Sequence, residues 1–440
     1  MSSYWAPYAW LPDGCQAGVG FDVEDGRFAR VRAGVAPQAG AETLGGVTLP
    51  GLANGHSHAF HRVLRGRTQA AGGTFWSWRE QMYAVAARLD PDSYLLLARA
   101  VFAEMAQAGY TVVGEFHYLH HDQHGQPYAD PNAMGAALIQ AATEAGTRIT
   151  LIDVCYLAGG LDASGHLPLD PVQARFADRD VDHWRARVSL LSDLDQAHIG
   201  SAVHSVRAVP AEALSTVGEA ARNRPLHIHL SEQPAENAAT RAFYGCTPTE
   251  LLGDHGLLGP ETTAVHATHL TETDIKTLGG TQTTACFCPT TERDLADGIG
   301  PARRLVDAGS RLAVGSDQQA VIDPFEELRG LEMHERLVTG ERGRFTPAEL
   351  IMIGSEAGYR SLGWPDGGRI ADGALADFVV VRADSVRTTG ARPDQIAYSA
   401  TAADVAQVVV GGQLIVSDGE HQLGSPALLL AAALDQLGEA

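Results

Sequence analysis

Leu49-Pro50-Gly51-Leu52-Ala53-Asn54-Gly55-His56-Ser57-His58 is an apolar run that closes in Gly-His-x-His. Such a run reads as a buried strand, and side chains two apart share a face, so His56 and His58 leave its carboxyl end on the same side. Neutral imidazole is the commonest protein ligand for zinc, and a catalytic zinc takes about three protein ligands and keeps one position open for water. The pair therefore reads as half of a metal site. Taken alone, a His-x-His is as readily two ordinary polar residues at a strand end, so the remaining strand ends must decide.

Downstream, β-like segments alternate with helical ones. Strands are expected near 110–115, 148–154, 199–206, 225–230, 263–268, 283–287 and 311–315, which with the first makes eight. The intervening pieces carry helix starts, such as Asp90-Pro91 and Pro210, where proline takes the first turn without losing a needed N–H. Eight such alternations predict a (β/α)8 TIM-type barrel over residues 49–369, with catalytic groups at the carboxyl ends of its strands. Residues 1–48 show short β-like runs and turn residues such as Pro12-Asp13-Gly14 and Glu24-Asp25-Gly26. That texture returns over 370–425, and the two ends read as one small β domain that the barrel interrupts. Residues 426–440 read as a C-terminal helical tail. The stretch 60–88, with Gly72-Gly73 and Trp76-Ser77-Trp78, is a long first loop of the kind that carries function. Both tryptophans are expected to pack beneath it.

The other strand ends carry ligand-type residues. The fifth expected strand closes in Leu226-His227-Ile228-His229-Leu230-Ser231-Glu232, the sixth in Val265-His266-Ala267-Thr268-His269, and the eighth in Ala313-Val314-Gly315-Ser316-Asp317. One such ending arises easily by chance; three of them beside His56 and His58 point to a built site. His227 and His269 read as packing or supporting groups. His117, His120, His121 and His124 read as a solvated loop at the barrel mouth, because no carboxylate or cysteine pattern closes a coordination set around them. Cys286-Phe287-Cys288 lies in an apolar run and reads as core.

On these motifs the chain resembles the amidohydrolase superfamily, whose barrel carries His-x-His after the first strand, a His after the fifth, a His after the sixth and an Asp after the eighth. The resemblance implies that His56, His58, His229 and Asp317 hold a divalent ion and a water whose pKa it lowers. It further implies that Asp317 takes the water's proton, that His266 steadies the attacking oxygen, and that Glu232 carries a proton to the departing nitrogen. Binuclear members add a carboxylated lysine at the fourth strand. The one lysine here, Lys276, falls on the helical stretch after the sixth, so a single metal, Zn²⁺, is expected.

A narrower resemblance, to the formimidoylglutamate deiminases of bacterial histidine degradation, runs through Gly55-His56-Ser57-His58-Ala59-Phe60-His61-Arg62, Phe75-Trp76-Ser77-Trp78-Arg79-Glu80, Gly114-Glu115-Phe116-His117-Tyr118, His204-Ser205-Val206-Arg207-Ala208-Val209 and Pro289-Thr290-Thr291-Glu292. It implies a substrate with two carboxylates held by Arg79, Arg207, His204 and Tyr118. Guanidinium forks suit that task, since they bind carboxylates bidentately. His61 stands where some members have Gln, and either side chain donates a hydrogen bond. The activity implied is hydrolytic deimination of N-formimidoyl-L-glutamate to N-formyl-L-glutamate and ammonia. The alternatives are another mononuclear zinc aminohydrolase, acting on a guanine, cytosine or adenosine type of base, and, more remotely, a barrel that only scaffolds.

Composition sets the outer limits. The formal net charge is -21 over 440 residues, which argues against nucleic acid and anionic membranes as partners, because both attract clustered Lys and Arg. An anionic substrate then needs arginines at the site itself. Five cysteines, Cys15, Cys155, Cys246, Cys286 and Cys288, show no framework spacing and read as reduced thiols. The N-terminus lacks a basic-plus-apolar signal pattern. A cytoplasmic enzyme is expected, and by base rate a homodimer.

Overall fold

The computed structural model describes residues 2–69 and 75–438, so Gly72-Gly73 and the side chain of Trp76 lie outside what is described. Eight parallel strands follow one another around a single sheet in chain order: Leu52–Ser57, Tyr110–His117, Arg148–Cys155, Ala197–Val203, Leu226–Leu230, Thr262–His266, Thr284–Phe287 and Leu312–Val314. Nearly every residue in them is buried on both faces, as helices on the outside and side chains on the inside of a closed barrel require. This is the (β/α)8 barrel that the alternation predicts. The eighth strand meets the first through a parallel bridge between Ser57 and Asp317. There His58 N donates to Asp317 O and Asp317 N donates to His56 O, both at 3.0 Å. The seam of the barrel thus closes at the residues of greatest chemical interest.

The opening stretch is not one strand. It breaks at Gly51: Val47–Pro50 belongs to a second, nine-stranded sheet, and the first barrel strand starts at Leu52. A side chain at Gly51 would meet Thr111 Oγ1 at 2.5 Å and Tyr359 Oη at 2.7 Å, so the crossing point admits only glycine. Val47–Pro50 pairs with Ser2–Leu11 on one side and with Phe378–Val381 on the other. It therefore joins the N-terminal strands to the C-terminal ones in the small β domain. Asp377, fully buried, ties this sheet to the barrel: it accepts from Arg148 Nε at 2.7 Å, Arg148 Nη2 at 3.1 Å and Tyr359 Oη at 2.8 Å.

The helices start and stop where the residue types dictate. Pro91–Ala108 begins at Asp90, whose carboxylate accepts from Ser93 N, and ends at Gly109 with φ 110°, one residue before the second barrel strand. Its start is the reciprocal capping pattern that fills orphan N–H groups. The C-terminal helix Pro426–Gln436 buries Leu430 and Ala433 in the same core that contains this helix. The long first loop contains a 3-10 turn, Ala59–Leu64, and a helix, Phe75–Ala86. All five cysteines are free. Among the described residues no helix is long and apolar enough to cross a membrane.

Candidate metal centre and substrate cleft

Four side chains converge where the seam closes. His56 Nε2 stands 3.1 Å from His229 Nε2 and 3.3 Å from Asp317 Oδ1, and His58 Nε2 stands 3.4 Å from the same Asp317 oxygen. His58 Nδ1 lies 2.9 Å from Phe116 O; a carbonyl can only accept, so Nδ1 carries the proton and Nε2 turns a lone pair inward. Ligand atoms about 2.0–2.1 Å from a tetrahedral zinc stand roughly 3.3 Å from one another. The three separations given above match that spacing, and the four residues offer the donor chemistry of a zinc or similar site, so a divalent cation fits here.

Burial explains the charge states. It pushes His56 down to about 3 and His58 to about 4, and holds His229 well below the ordinary imidazole value. These rings are neutral and free to ligate. Burial alone would raise Asp317, but the hydrogen bond from His56 and the field of His266 outweigh it and hold the carboxylate ionised. His266 goes the other way. Burial lowers it, yet Glu232 with its Oε1 4.0 Å away, Glu292 with its Oε1 3.6 Å away, and Asp317 together raise it to about 10.

The backbone at these strand ends is strained. Ser231, His266, Ala267 and Asp317 all have φ between 43° and 68°, a region that costs a non-glycine residue roughly 1–3 kcal/mol and recurs at functional sites. Supporting polar groups hold the first and eighth strands together. Asn54 Nδ2 donates to Ser316 Oγ at 2.6 Å and Ser316 N donates to Asn54 Oδ1 at 2.9 Å. Behind His56 and His58, buried Glu115 accepts from Ser57 Oγ at 2.8 Å and Ala59 N at 2.7 Å.

Above the cluster opens a cavity of about 220 Å³. Every residue given a catalytic, metal-binding or substrate-binding role from the sequence lines it except His56, which is fully buried. His61 Nε2 is 2.8 Å from Tyr118 Oη, and His204 packs edge-on against His229 with centroids 5.1 Å apart. Trp78 packs against His61 at 5.1 Å, as expected of a residue under the loop. Arg207 Nη2 lies 3.5 Å from Glu232 Oε2, and its Nε lies 3.2 Å from Glu236 Oε2. Arg79 reaches the cavity from the helix Phe75–Ala86. His227 and His269 point elsewhere, to Ser361 O at 3.0 Å and Asp297 O at 2.7 Å.

The expectation of a solvated His-rich loop is wrong. His117, His120 and His121 are at most 3% exposed, and only His124 faces solvent. Asp153, from the third strand, lies close enough to His117 and His120 to complete a ligand triad. Sequence spacing could not reveal this carboxylate, because it comes from another strand. Arg187 already grips it, with Nη1 and Nη2 at 2.7 and 2.9 Å from its two oxygens.

Some cavity groups carried no role in the sequence. Tyr156 directly follows the third barrel strand, so its position alone could have marked it. Tyr83 sits four residues after Arg79 on one helix face, and Glu236 lies in the first turn of the helix Pro234–Tyr244 that follows Glu232. Gln173 gave no signal.

The comparisons agree with this geometry. The Amidohydrolase family model matches residues 47–415. The formimidoylglutamate deiminase of Pseudomonas aeruginosa is 35% identical over 442 aligned residues, covering 96% of each chain. The 8-oxoguanine deaminase of the same organism is 31% identical, covering 98% of this chain and 97% of that one. The crystal structure of an amidohydrolase from Brucella melitensis superposes with a TM-score of 0.92 at 32% identity, over 99% of this chain and all of that one. With its eight-stranded barrel and the histidine and aspartate residues gathered at the barrel seam, the chain belongs to the amidohydrolase family.

Proposed function

We propose that the protein is a formimidoylglutamate deiminase, which adds water to N-formimidoyl-L-glutamate and releases N-formyl-L-glutamate and ammonia. The observation that carries this reading is the pairing, in one cavity, of the His56, His58, His229 and Asp317 cluster with two guanidinium groups, Arg79 and Arg207. A formimidoyl group needs an activated water, and a glutamate tail needs cations in a protein whose overall field repels anions. The identity of 35% with the Pseudomonas deiminase over nearly the whole chain supports the same substrate.

The four clustered residues would hold one divalent cation, Zn²⁺ by its preference for nitrogen and oxygen donors, and that ion, when bound, lowers the pKa of a water towards neutrality. Asp317 would accept the water's proton as the oxygen bonds to the formimidoyl carbon. His266, charged by its carboxylate neighbours, would donate a hydrogen bond to the added oxygen. Glu232 would deliver a proton to the terminal nitrogen; the C–N bond then breaks and ammonia leaves. Arg79 and Arg207, with His204 and Tyr118, would orient the two carboxylates.

The relative that deaminates 8-oxoguanine favours a second reading, hydrolysis of an amino group on a base. A base has no carboxylate to meet the arginines. Ammonia release is therefore measured from N-formimidoyl-L-glutamate, 8-oxoguanine, guanine and cytosine, with metal content assayed. Release from the first alone, abolished by chelation, is expected; release from a base instead would overturn the proposal. Arg207→Ala should raise KM for the dicarboxylate by about a hundredfold, the loss of a charge-assisted pair, with metal content intact.

A further inference from the structure

The far wall of the cavity holds two phenols. Tyr156 follows the third barrel strand, and Tyr83 lies on the helix that carries Arg79. Both hydroxyls meet one buried amide: Gln173 Nε2 is 2.8 Å from Tyr156 Oη, 3.0 Å from Tyr83 Oη and 3.1 Å from Gly159 O. The other end of that amide is fixed, because Gln173 Oε1 accepts from Asp170 N at 2.8 Å. The atom facing the phenols is thus the NH₂ group, and an amide nitrogen only donates. Neither phenol can give its hydrogen to Gln173. At most one can serve the other hydroxyl, so at least one O–H is left for an acceptor outside this trio, and both tyrosines line the cavity.

The surroundings say what that donor faces. The Arg79 guanidinium lies over the Tyr83 ring, 5.5 Å from its centroid. The Tyr156 ring is 5% exposed and packs edge-on against His204 at 4.6 Å, and His204 in turn packs against His229. Tyr156 therefore stands one ring layer beyond the metal cluster, and Tyr83, joined to it through Gln173, lies beneath the Arg79 guanidinium. Burial raises both phenols above their ordinary value, which keeps them protonated and able to donate. A carboxylate offers about four lone-pair sites, more than one guanidinium fork fills.

We propose that Tyr156 and Tyr83, oriented by Gln173, donate hydrogen bonds to the side-chain carboxylate of the substrate beside Arg79 and Arg207, and so select a dicarboxylate. The inference rests on the deiminase reading above. With the reacting carbon at the metal cluster, the side-chain carboxylate is the group far enough along the substrate to reach this wall. Gln173 has a second effect: it pins the helix carrying Arg79 to the barrel rim, so both kinds of donor are placed by one side chain.

The test compares Tyr156→Phe, Tyr83→Phe and the double variant with the parent enzyme, on N-formimidoyl-L-glutamate and on N-formimidoyl-L-norvaline, which lacks the side-chain carboxylate. Each Phe keeps the ring, and metal content and melting temperature are recorded. Loss of one hydrogen bond to a charged group implies a rise in KM of about tenfold for the dicarboxylate. The double variant should exceed this, with kcat and the norvaline KM unchanged. Glutarate, as a competitive inhibitor, should weaken by the same factor. An unchanged KM in the double variant, or equal losses on both substrates, would overturn the inference and leave the deiminase reading in place. A parent enzyme that releases ammonia from neither compound would overturn both.

Discussion

Two clusters of buried histidine and aspartate sit at the carboxyl end of this barrel, and they differ in what neutralises them. At the seam of the first and eighth strands, His56, His58, His229 and Asp317 turn their ligand atoms towards one another, and the charge beside them is that of His266, whose field helps to hold Asp317 ionised. At the second and third strands, His117, His120 and Asp153 gather in the same way, but Arg187 holds Asp153 through both of its terminal nitrogens and Trp184 Nε1 adds a third hydrogen bond at 3.0 Å. A buried carboxylate needs a partner. In the first cluster Asp317 is opposed by the field of His266 and, in the function proposed above, by a bound ion, whereas in the second Arg187 covers both oxygens of Asp153. Composition alone therefore does not make a metal site; the placement of one arginine decides.

The sharpest way to break this contrast is to remove a ligand from the first cluster. His229→Ala should lower bound metal to background and cut kcat/KM by on the order of ten-thousandfold, because the activated water is lost with the ion. Metal analysis beside the ammonia assay checks it. Retention of full turnover without metal would erase the distinction between the clusters.

How much of this could be read from the sequence depends on where each group comes from. His56 and His58, two apart on one strand, carry their geometry in their spacing, and His229, His266 and Asp317 were legible as the ends of apolar runs. The strand positions were legible for the same reason: buried parallel strands write themselves as short apolar segments. The Gly51 break was not, because the reason for it lies in Thr111, Tyr359 and Asp377, which are remote in the chain. The burial of His117, His120 and His121 was hidden likewise, since the charged groups packed around them, Asp153, Asp178 and Arg187, arrive from other elements. Gln173 is the extreme case, a 3-10 turn residue whose place is set wholly by tertiary contacts.

Removing the cation from the second cluster should cost stability rather than activity. Arg187→Ala leaves Asp153 and Asp178 buried without their guanidinium partner, and breaking a buried pair from one side costs about 3–5 kcal/mol. Denaturant unfolding should show that loss, while the metal content of the first cluster and the kcat of folded protein hold. Titration of the variant with Zn²⁺ sharpens the comparison. Uptake of a second equivalent would mean that Arg187 stands in for a metal; no uptake would mean that the cluster is purely a side-chain network.

The smallest effect is a pH signature. Burial alone would raise Asp178, but its hydrogen bond with His121, whose Nε2 is 3.5 Å away, and the Arg187 charge lower it to about 2. A carboxylate whose folded value lies below its unfolded one, near 3.9, stabilises the fold fully above that unfolded value. The contribution fades as pH falls through the folded one. Asp178 should thus supply roughly 2 kcal/mol at neutral pH, lost between about pH 4 and pH 2. Asp178→Asn should flatten that part of the acid stability curve while leaving its slope above pH 5 unchanged. An identical acid limb in both proteins would mean that Arg187 draws its compensation from Asp153 alone, and the second cluster would then be a simple pair with histidines packed around it.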